Sequence, residues 1–510
     1  MNVSHQFIGT YYPSLNPIDL PVGRTTQNRY LIYHNAFDKT KIFYLKKVVN
    51  LGELASIEAI MSQLARRRAS CRRRINELSS TTARIPSEIL SEIFLIACQP
   101  VNDGRRSRKA VTPPFIGSIC RRWRDVAWST PFLWNTILLH ISRKNHGTQV
   151  QFLRDRLLKA SSAPLNIRLT AEDDAHLAFE AIMRILVTRS DYWLTFNSSL
   201  PPLECQNILE NINFPMLTSV SLHFYNFETS LHVNNMFLIA PKLVDVYLKC
   251  CNSSVMLPWE QIRRFRSGAS TTVAEFWKVL RQSPNLEECH FKYIYIPDRL
   301  IFETVISHAQ LKYLDVVLQD SRRSMSLFDS ITLPSLTNLR IQSYGSKGLR
   351  LSSLTSLVLR SACNLERFTI GISFIPADLI PCLETIPSLT FLHLDLEMPS
   401  IPSPYIGLTR HFVESLDPLN NSSGLLLPNL KHFKFKGQVL CDYQTIVDML
   451  AHRWHLSDDG ESSHSGRVSK LKLVEILSIA PYHVPSDMQE KIRNLLEEGI
   501  VISIESLVGS

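Results

Sequence analysis

Apolar positions recur along this chain with three successive periods. Leu54, Ile57, Met61, Leu64, Arg68, Cys71, Ile75 and Leu78 are spaced alternately three and four residues apart, a heptad seam broken only by Arg68. That spacing predicts a helix over 51–80, either folded back on its own chain or paired with a second copy in a short coiled coil. Between 85 and 97, the apolar residues Ile85, Ile89, Leu90, Ile93, Phe94 and Ala97 form one broad helical face. Pro86 suits the first helical position, and Ser87 and Glu88 suit the positive end of the dipole. A second amphipathic helix is expected to open at Pro113-Pro114. It carries Phe115, Ile116, Ile119, Cys120, Trp123 and Val126 on one side, with Arg121, Arg122, Arg124 and Asp125 on the other. A third short helix is expected over Phe132–Ile137, after Pro131. Three small helices within roughly fifty residues cannot bury all of these side chains internally, so part of the apolar surface must lie against something else.

Beyond the helices the period lengthens. The segments FPMLTSVSLHF, APKLVDVYLKC, SPNLEECHFKY, HAQLKYLDVVL, LPSLTNLRIQS, LSSLTSLVLRS, CNLERFTIGI, IPSLTFLHLDL and LPNLKHFKFKG align on a Pro-x-Leu-x-x-Leu-x-Leu pattern with drift. Their leading anchors are Leu217, Leu243, Leu286, Leu311, Leu336, Leu354, Leu365, Leu389 and Leu430, and a degenerate copy anchored by Ile262 divides the gap between Leu243 and Leu286. A weaker copy at Val468, Leu471 and Leu473 is expected to close the array, and Leu165–Leu169 and Tyr192–Phe196 read as strands of atypical first repeats. In each copy the last two apolar positions point from a strand into the core and the residues between them point out. One copy cannot bury its own face, so neighbours must stack into a parallel sheet backed by helices or turns. The stretch SDDGESSHSG at 457–466 reads as a surface loop.

The ordered set Ile85-Pro86, Glu88-Ile89-Leu90, Ile93-Phe94, Ile119-Cys120-Arg121-Arg122-Trp123 and Thr130-Pro131-Phe132-Leu133-Trp134 resembles an F-box over 84–138. The repeats resemble irregular leucine-rich repeats over 150–505, although the usual turn asparagine is mostly absent. Together these resemblances imply an α/β chain, a small three-helix F-box followed by a leucine-rich-repeat horseshoe. They also imply a Skp-type adaptor as partner and, through it, a cullin. The positions they assign to the adaptor are Ile85, Pro86, Ile89, Leu90, Ile93, Phe94, Ile116, Ile119, Cys120, Trp123, Val126 and Trp134. The chain departs from the family pattern in two places. Ile85 stands for the usual leucine, and the connection 99–112 is longer and more basic, with Arg105, Arg106, Arg108 and Lys109. The implied function is a non-catalytic substrate-recognition subunit of an SCF-type cullin ubiquitin ligase. The alternative is a ligase-independent repeat scaffold that dimerises or contacts nucleic acid through its basic N-terminal helix.

Composition narrows the picture further. With 510 residues, 45% hydrophobic and 20% charged, the chain is too long for one ordinary core, and no apolar run approaches the ~20 residues of a membrane helix. The N-terminus has no basic flank followed by an apolar core, so a cytoplasmic or nuclear location is expected. Residues 1–50 read as a loosely ordered arm. The net charge of +9 belongs to the first 150 residues, the remainder being slightly acidic. Arg66–Arg68 and Arg72–Arg74 offer either a nucleic-acid or importin contact or a solvated helix face. The ten cysteines form no CxxC pair and read as buried thiols, without metal or disulfide. Neither the residues nor their spacing provide a nucleophile elbow, a phosphate loop or paired metal ligands, so no enzyme and no cofactor is expected.

Binding chemistry is expected instead at outward strand positions. Lys249, Arg266, Lys292, Arg340, Arg360, Lys434 and Lys436 outnumber Asp315 and Asp395 there, while Arg264 and Arg367 are offset by Asp245 and Glu288. The expected target-binding set is Tyr247, Lys249, His290, Lys292, Arg340, Arg360, His393, Lys434 and Lys436, with Arg340 and Arg360 on adjacent strands. Such a set suits an acidic or phosphorylated protein.

Overall fold

The computed structural model describes residues 51–79, 81–99, 111–172, 175–200, 206–224, 235–249, 255–296, 305–319, 324–343, 350–371, 376–396, 407–420, 424–456, 468–480 and 485–506. The expected arm over 1–50, the basic connection 100–110, Cys205, Cys250, Cys251 and the loop at 457–466 lie outside the described residues. The chain divides into two units, Met1–Leu90 and Ser91–Ser510.

The first unit contains helix α1, Leu51–Ser79, and the start of α2, Ser87–Cys98. α1 is rich in strong helix formers and contains no proline. Arg66 Nε and Arg73 Nε donate back to the carbonyls of Ser62 and Ala69, one turn earlier. Every side chain described on α1, from Ala55 to Ile75, is exposed. Cys71 is therefore a solvent-facing thiol, a correction to the buried reading.

In the second unit the helix expected from Pro113 is two helices, α3 (Pro113–Ile119) and α4 (Arg121–Trp128). Cys120 between them is extended, at φ −154° and ψ 169°, and its sulfur accepts the Trp123 N–H at 3.4 Å. The thiol acts as the N-cap of α4, and this local bond ends α3. The expected third helix is also corrected. Pro131–Leu133 is a single 3-10 turn, and Thr136–Ile141 is strand β1, with Ile137, Leu139 and Ile141 buried in alternation. The sheet thus begins at 136 rather than at 150.

Among the described residues, fourteen strands follow one another in sequence order across a single parallel sheet. They are β1, β2 (Leu165–Ala171), β3 (Trp193–Leu200), β4 (Ser219–Phe224), β5 (Asp245–Leu248), β6 (Arg264–Ser267) and β7 (Glu288–Tyr295), then β8 (Tyr313–Leu318), β9 (Asn338–Ser343), β10 (Arg367–Gly371), β11 (Phe391–Asp395), β12 (His432–Gly437), β13 (Leu473–Ser478) and β14 (Val501–Ser506). The two-residue segment Thr271–Thr272 pairs beside β7. Parallel neighbours need crossovers, and the longer ones carry helices α5 (His146–Ala160), α6 (His176–Val187), α7 (Val273–Gln282), α8 (Ser352–Ser361), α9 (Tyr443–His455) and α10 (Ser486–Glu497).

Burial alternates along the strands, as in β6, β12 and β13, so one sheet face is packed and the other is open. The packed face carries Ile137, Ile167, Phe196, Val220, Val246, Phe265, Cys289, Leu314, Leu339, Phe368, Leu392, Phe433 and Val474 in one register row. Crossover helices lie against this face, as where the Phe276 ring of α7 meets Phe291 edge-on at 5.1 Å.

Two repeat expectations are overturned. LSSLTSLVLRS is the helix α8, because Leu354, Leu357, Val358 and Ser361 are the buried set, at helical spacing. Leu359, which a strand would bury, is 65% exposed. The strand of that repeat is β10, contributed by CNLERFTIGI. Nor does the copy at Val468 to Leu473 close the array, since β14 pairs with β13 over six residues.

Candidate functional site

Two surfaces of the second unit gather most of the residues singled out by the sequence, while Ile85, Pro86, Ile89 and Leu90 belong to the first unit. The first is the helical group ahead of the sheet. Phe94 of α2 is buried and its ring lies 5.0 Å from that of Trp123 on α4. Ile116 and Val126 are buried as well. α3 and α4 approach closely at Gly117, where an added Cβ would fall 2.1 Å from the Trp128 ring, and Arg124 Nε donates to the Gly117 carbonyl at 2.9 Å. Trp134 is buried, donates its indole N–H to the Ala127 carbonyl at 2.7 Å and stacks edge-on against Trp128 at 5.1 Å. Lys159 of α5 lies over both indoles, 4.7 Å from Trp128 and 4.3 Å from Trp134. Arg156 of α5 donates to the Trp134 carbonyl at 3.2 Å. Burial pushes the Arg156 pKa down and the Cys98 thiol up, and each charge partly offsets the other's shift. Aromatic and cation contacts thus fasten the helical group to the first crossover of the sheet.

The expected adaptor positions divide in two. Leu90, Phe94, Ile116, Val126 and Trp134 are interior residues, and Cys120 is a cap. Ile85 and Trp123 are half-buried, and Pro86 is exposed. Ile89 and Ile93 on α2 and Ile119 on α3 are open to water, Ile93 being 45% and Ile119 52% exposed. Ile96, Phe115 and Phe132 are exposed too and had not been assigned to the site. Their signal in the sequence was present, since Phe115 belongs to the amphipathic pattern. Periodicity alone does not divide an apolar face into core and surface.

The second surface is the open face of the sheet. Strand pairing sets Tyr247, Arg266, His290, Asp315, Arg340, Thr369, His393, Lys434 and Glu475 side by side in one row. Five of the expected target residues, Tyr247, His290, Arg340, His393 and Lys434, stand in that row. Lys436 is one position on, opposite Asp395, and Lys249 is exposed just past β5. Arg360 is elsewhere. It lies on α8, where its Nη2 donates to the Phe328 and Ile331 carbonyls, both at 2.6 Å. The expected placement of Arg340 and Arg360 on adjacent strands is therefore corrected, because the strand beside Arg340 presents Thr369. Lys292 is exposed at a bulge in β7, where Tyr293 adopts φ +59° and turns outward as well, with Lys292 Nζ 5.5 Å from its ring. Strict alternation would have buried Tyr293, so sequence reasoning missed it.

Charge on the open face is partly paired. Asp245 holds Arg266 at 3.0 Å and Arg264 at 3.6 Å, and Asp315 holds His290 at 3.2 Å with Arg340 at 4.0 Å. Lys434 meets Glu475 at 2.5 Å. Arg340, Arg367, Lys434 and Lys436 fall on β9, β10 and β12. The Arg367 guanidinium stacks 4.0 Å from the Phe391 ring, whose other neighbour is His432 at 6.3 Å. Burial, and then the Arg367, Lys472, Lys431 and Lys434 cations, push the His432 pKa down. Burial does the same for His393, with Lys434 and Arg340 adding to it and Asp395 opposing. Burial leads in both cases, and the four cations that add to it around His432 make a local field that favours an anion.

Among the described residues no group of three or more His, Cys, Asp or Glu is placed to hold a metal ion. No described helix is long and apolar enough to cross a membrane. No protein-family model matches the chain, and no curated protein matches it in sequence.

Proposed function

We propose that the chain is a non-catalytic recognition subunit of a cullin-type ubiquitin ligase, with an F-box that holds a Skp-type adaptor and leucine-rich repeats that hold a target protein. The observation that carries this reading is the division of the helical group. Phe94, Ile116, Val126 and Trp134 fill its interior, while Ile93, Ile96, Phe115 and Ile119 remain in water on the same short helices. Large apolar side chains concentrated on so small a group mark a protein contact. The open sheet face supports the second half of the reading, because its cations, among them Arg340, Arg367 and Lys434, suit an acidic partner.

The test is copurification of the adaptor with Ile93→Asp/Ile119→Asp. Both side chains are about half exposed in the free chain, so the double variant should fold and melt like the wild type. Each isoleucine buried on binding contributes about 1.5–3 kcal/mol, and a buried carboxylate in its place adds a desolvation cost. Adaptor recovery should therefore be lost. Undiminished recovery would defeat the ligase reading and leave the repeat scaffold as the better account.

A further inference from the structure

We propose that two copies of the chain pair through α1 as an antiparallel coiled coil. The helix is 29 residues long, and Ile57, Met61, Leu64 and Ile75 are all more than half exposed along one seam with a 3.5-residue period. Single exposed hydrophobes are ordinary, but a stripe that keeps this period, here interrupted only at Arg68, is the seam of a helix pair. In heptad terms Ile57, Leu64 and Cys71 occupy d, and Met61, Arg68 and Ile75 occupy a.

Charge decides the orientation. A parallel pair stacks Arg68 on Arg68 of the second copy in the core, and sets Arg67 at g against Arg72 at e of the other helix, twice over. Both arrangements repel. Running the helices in opposite directions about position 66 replaces these contacts. Ile57 then meets Ile75 of the second copy, Met61 meets Cys71, and Leu64 meets Arg68, whose aliphatic stem covers the leucine while its guanidinium reaches water. Glu58 at e faces Arg72 at e of the second copy, again twice over. One repulsion remains, Arg67 against Arg67 at the centre. Away from that central pair, the arginines up to 74 lie along a stretch of the other helix that carries Glu58.

The experiment uses the full chain. Sedimentation at tens of micromolar should show a dimer, and Leu64→Lys, which sets lysine against Arg68 of the second copy, should convert it mostly to monomer without changing the melting of the second unit. Under oxidised glutathione the wild type should form no Cys71–Cys71 disulfide, because the antiparallel arrangement separates the two thiols by about 15 Å along the axis, beyond disulfide reach. Met61→Cys should give a covalent dimer linking position 61 to Cys71 of the other copy, and adding Cys71→Ser should abolish it. A monomeric wild type, or a wild-type dimer linked through Cys71 alone, overturns the proposal. So does a monomer that binds duplex DNA in a steeply salt-sensitive complex, the behaviour of a solitary basic helix.

Discussion

Replacing Arg360 by glutamate should destabilise the second unit and leave target capture intact, whereas replacing Arg340 by glutamate should do the reverse. The two arginines look equivalent in sequence, each standing directly after a core leucine of the repeat pattern, Arg340 after Leu339 and Arg360 after Leu359. In the structure Arg360 Nη2 donates to the Phe328 and Ile331 carbonyls at 2.6 Å, and Nε reaches the Ile331 carbonyl and Thr332 Oγ1 at 3.2 Å. It also stands in the last turn of α8, where a cation complements the dipole. Two charge-assisted acceptors at the lower end of about 1.5–3 kcal/mol each, and a dipole contribution of about 0.3–1 kcal/mol, give a loss of about 3–4 kcal/mol. In a unit of this size that lowers the melting temperature by roughly 3–7 °C. Arg340, by contrast, makes one ion pair at 4.0 Å with its side chain 44% exposed, and such pairs contribute about 0–1 kcal/mol. Differential scanning calorimetry of both variants, alongside proximity-labelling profiles of each in cells, checks the pair of outcomes. The reasoning fails if Arg360→Glu melts with the wild type while losing labelled neighbours, or if Arg340→Glu is the one that melts early.

Stability should decline in mild acid. His393 and His432 sit below the ordinary histidine range through burial and nearby cations, so the folded state binds fewer protons than the unfolded chain. Their contribution is complete above the unfolded value of about 6.5 and is lost as pH falls from there through the folded values; thermal melts across that window measure it, and a flat profile contradicts it. An anionic target at the same face restores the charged imidazoles, so its affinity should rise as pH falls below about 6.5, read by titration at fixed salt. Arg453, fully buried on α9, donates to the carbonyls of Leu416, Leu426 and Leu427 at 2.6, 2.7 and 3.0 Å, and burial pushes its pKa down to about 10, still protonated at neutral pH. Arg453→Met strands those three acceptors and should cost about 3–5 kcal/mol in urea unfolding; a loss below about 1 kcal/mol would show that the carbonyls find other donors.

The sequence by itself determined the elements whose period admits one answer. The seam of α1, the stripe of α2 and most strands of the sheet were legible because period 3.5, 3.6 and 2 place the same side chains on one face only in the right conformation. The strand hidden at Ile262 followed from spacing, since a stacked repeat cannot be skipped without breaking the sheet. Only the tertiary structure decided the ambiguous segments. LSSLTSLVLRS satisfies a strand pattern and a helix pattern equally, and it became α8 because β10 already pairs with β9 and leaves it a place on the packed side. Cys120 reads as one more apolar residue of a helix, yet a single sulfur-to-amide bond made it a cap. Tyr293 turned outward because a bulge in β7 shifts its register against β8, which alternation along one strand does not encode. The division of the helical group was likewise set in three dimensions. Amphipathic spacing named Ile93, Phe94, Ile116 and Ile119 alike, and the close approach of α3 to α4 at Gly117, with Phe94 on Trp123, selected which of them filled the core and which stayed in water.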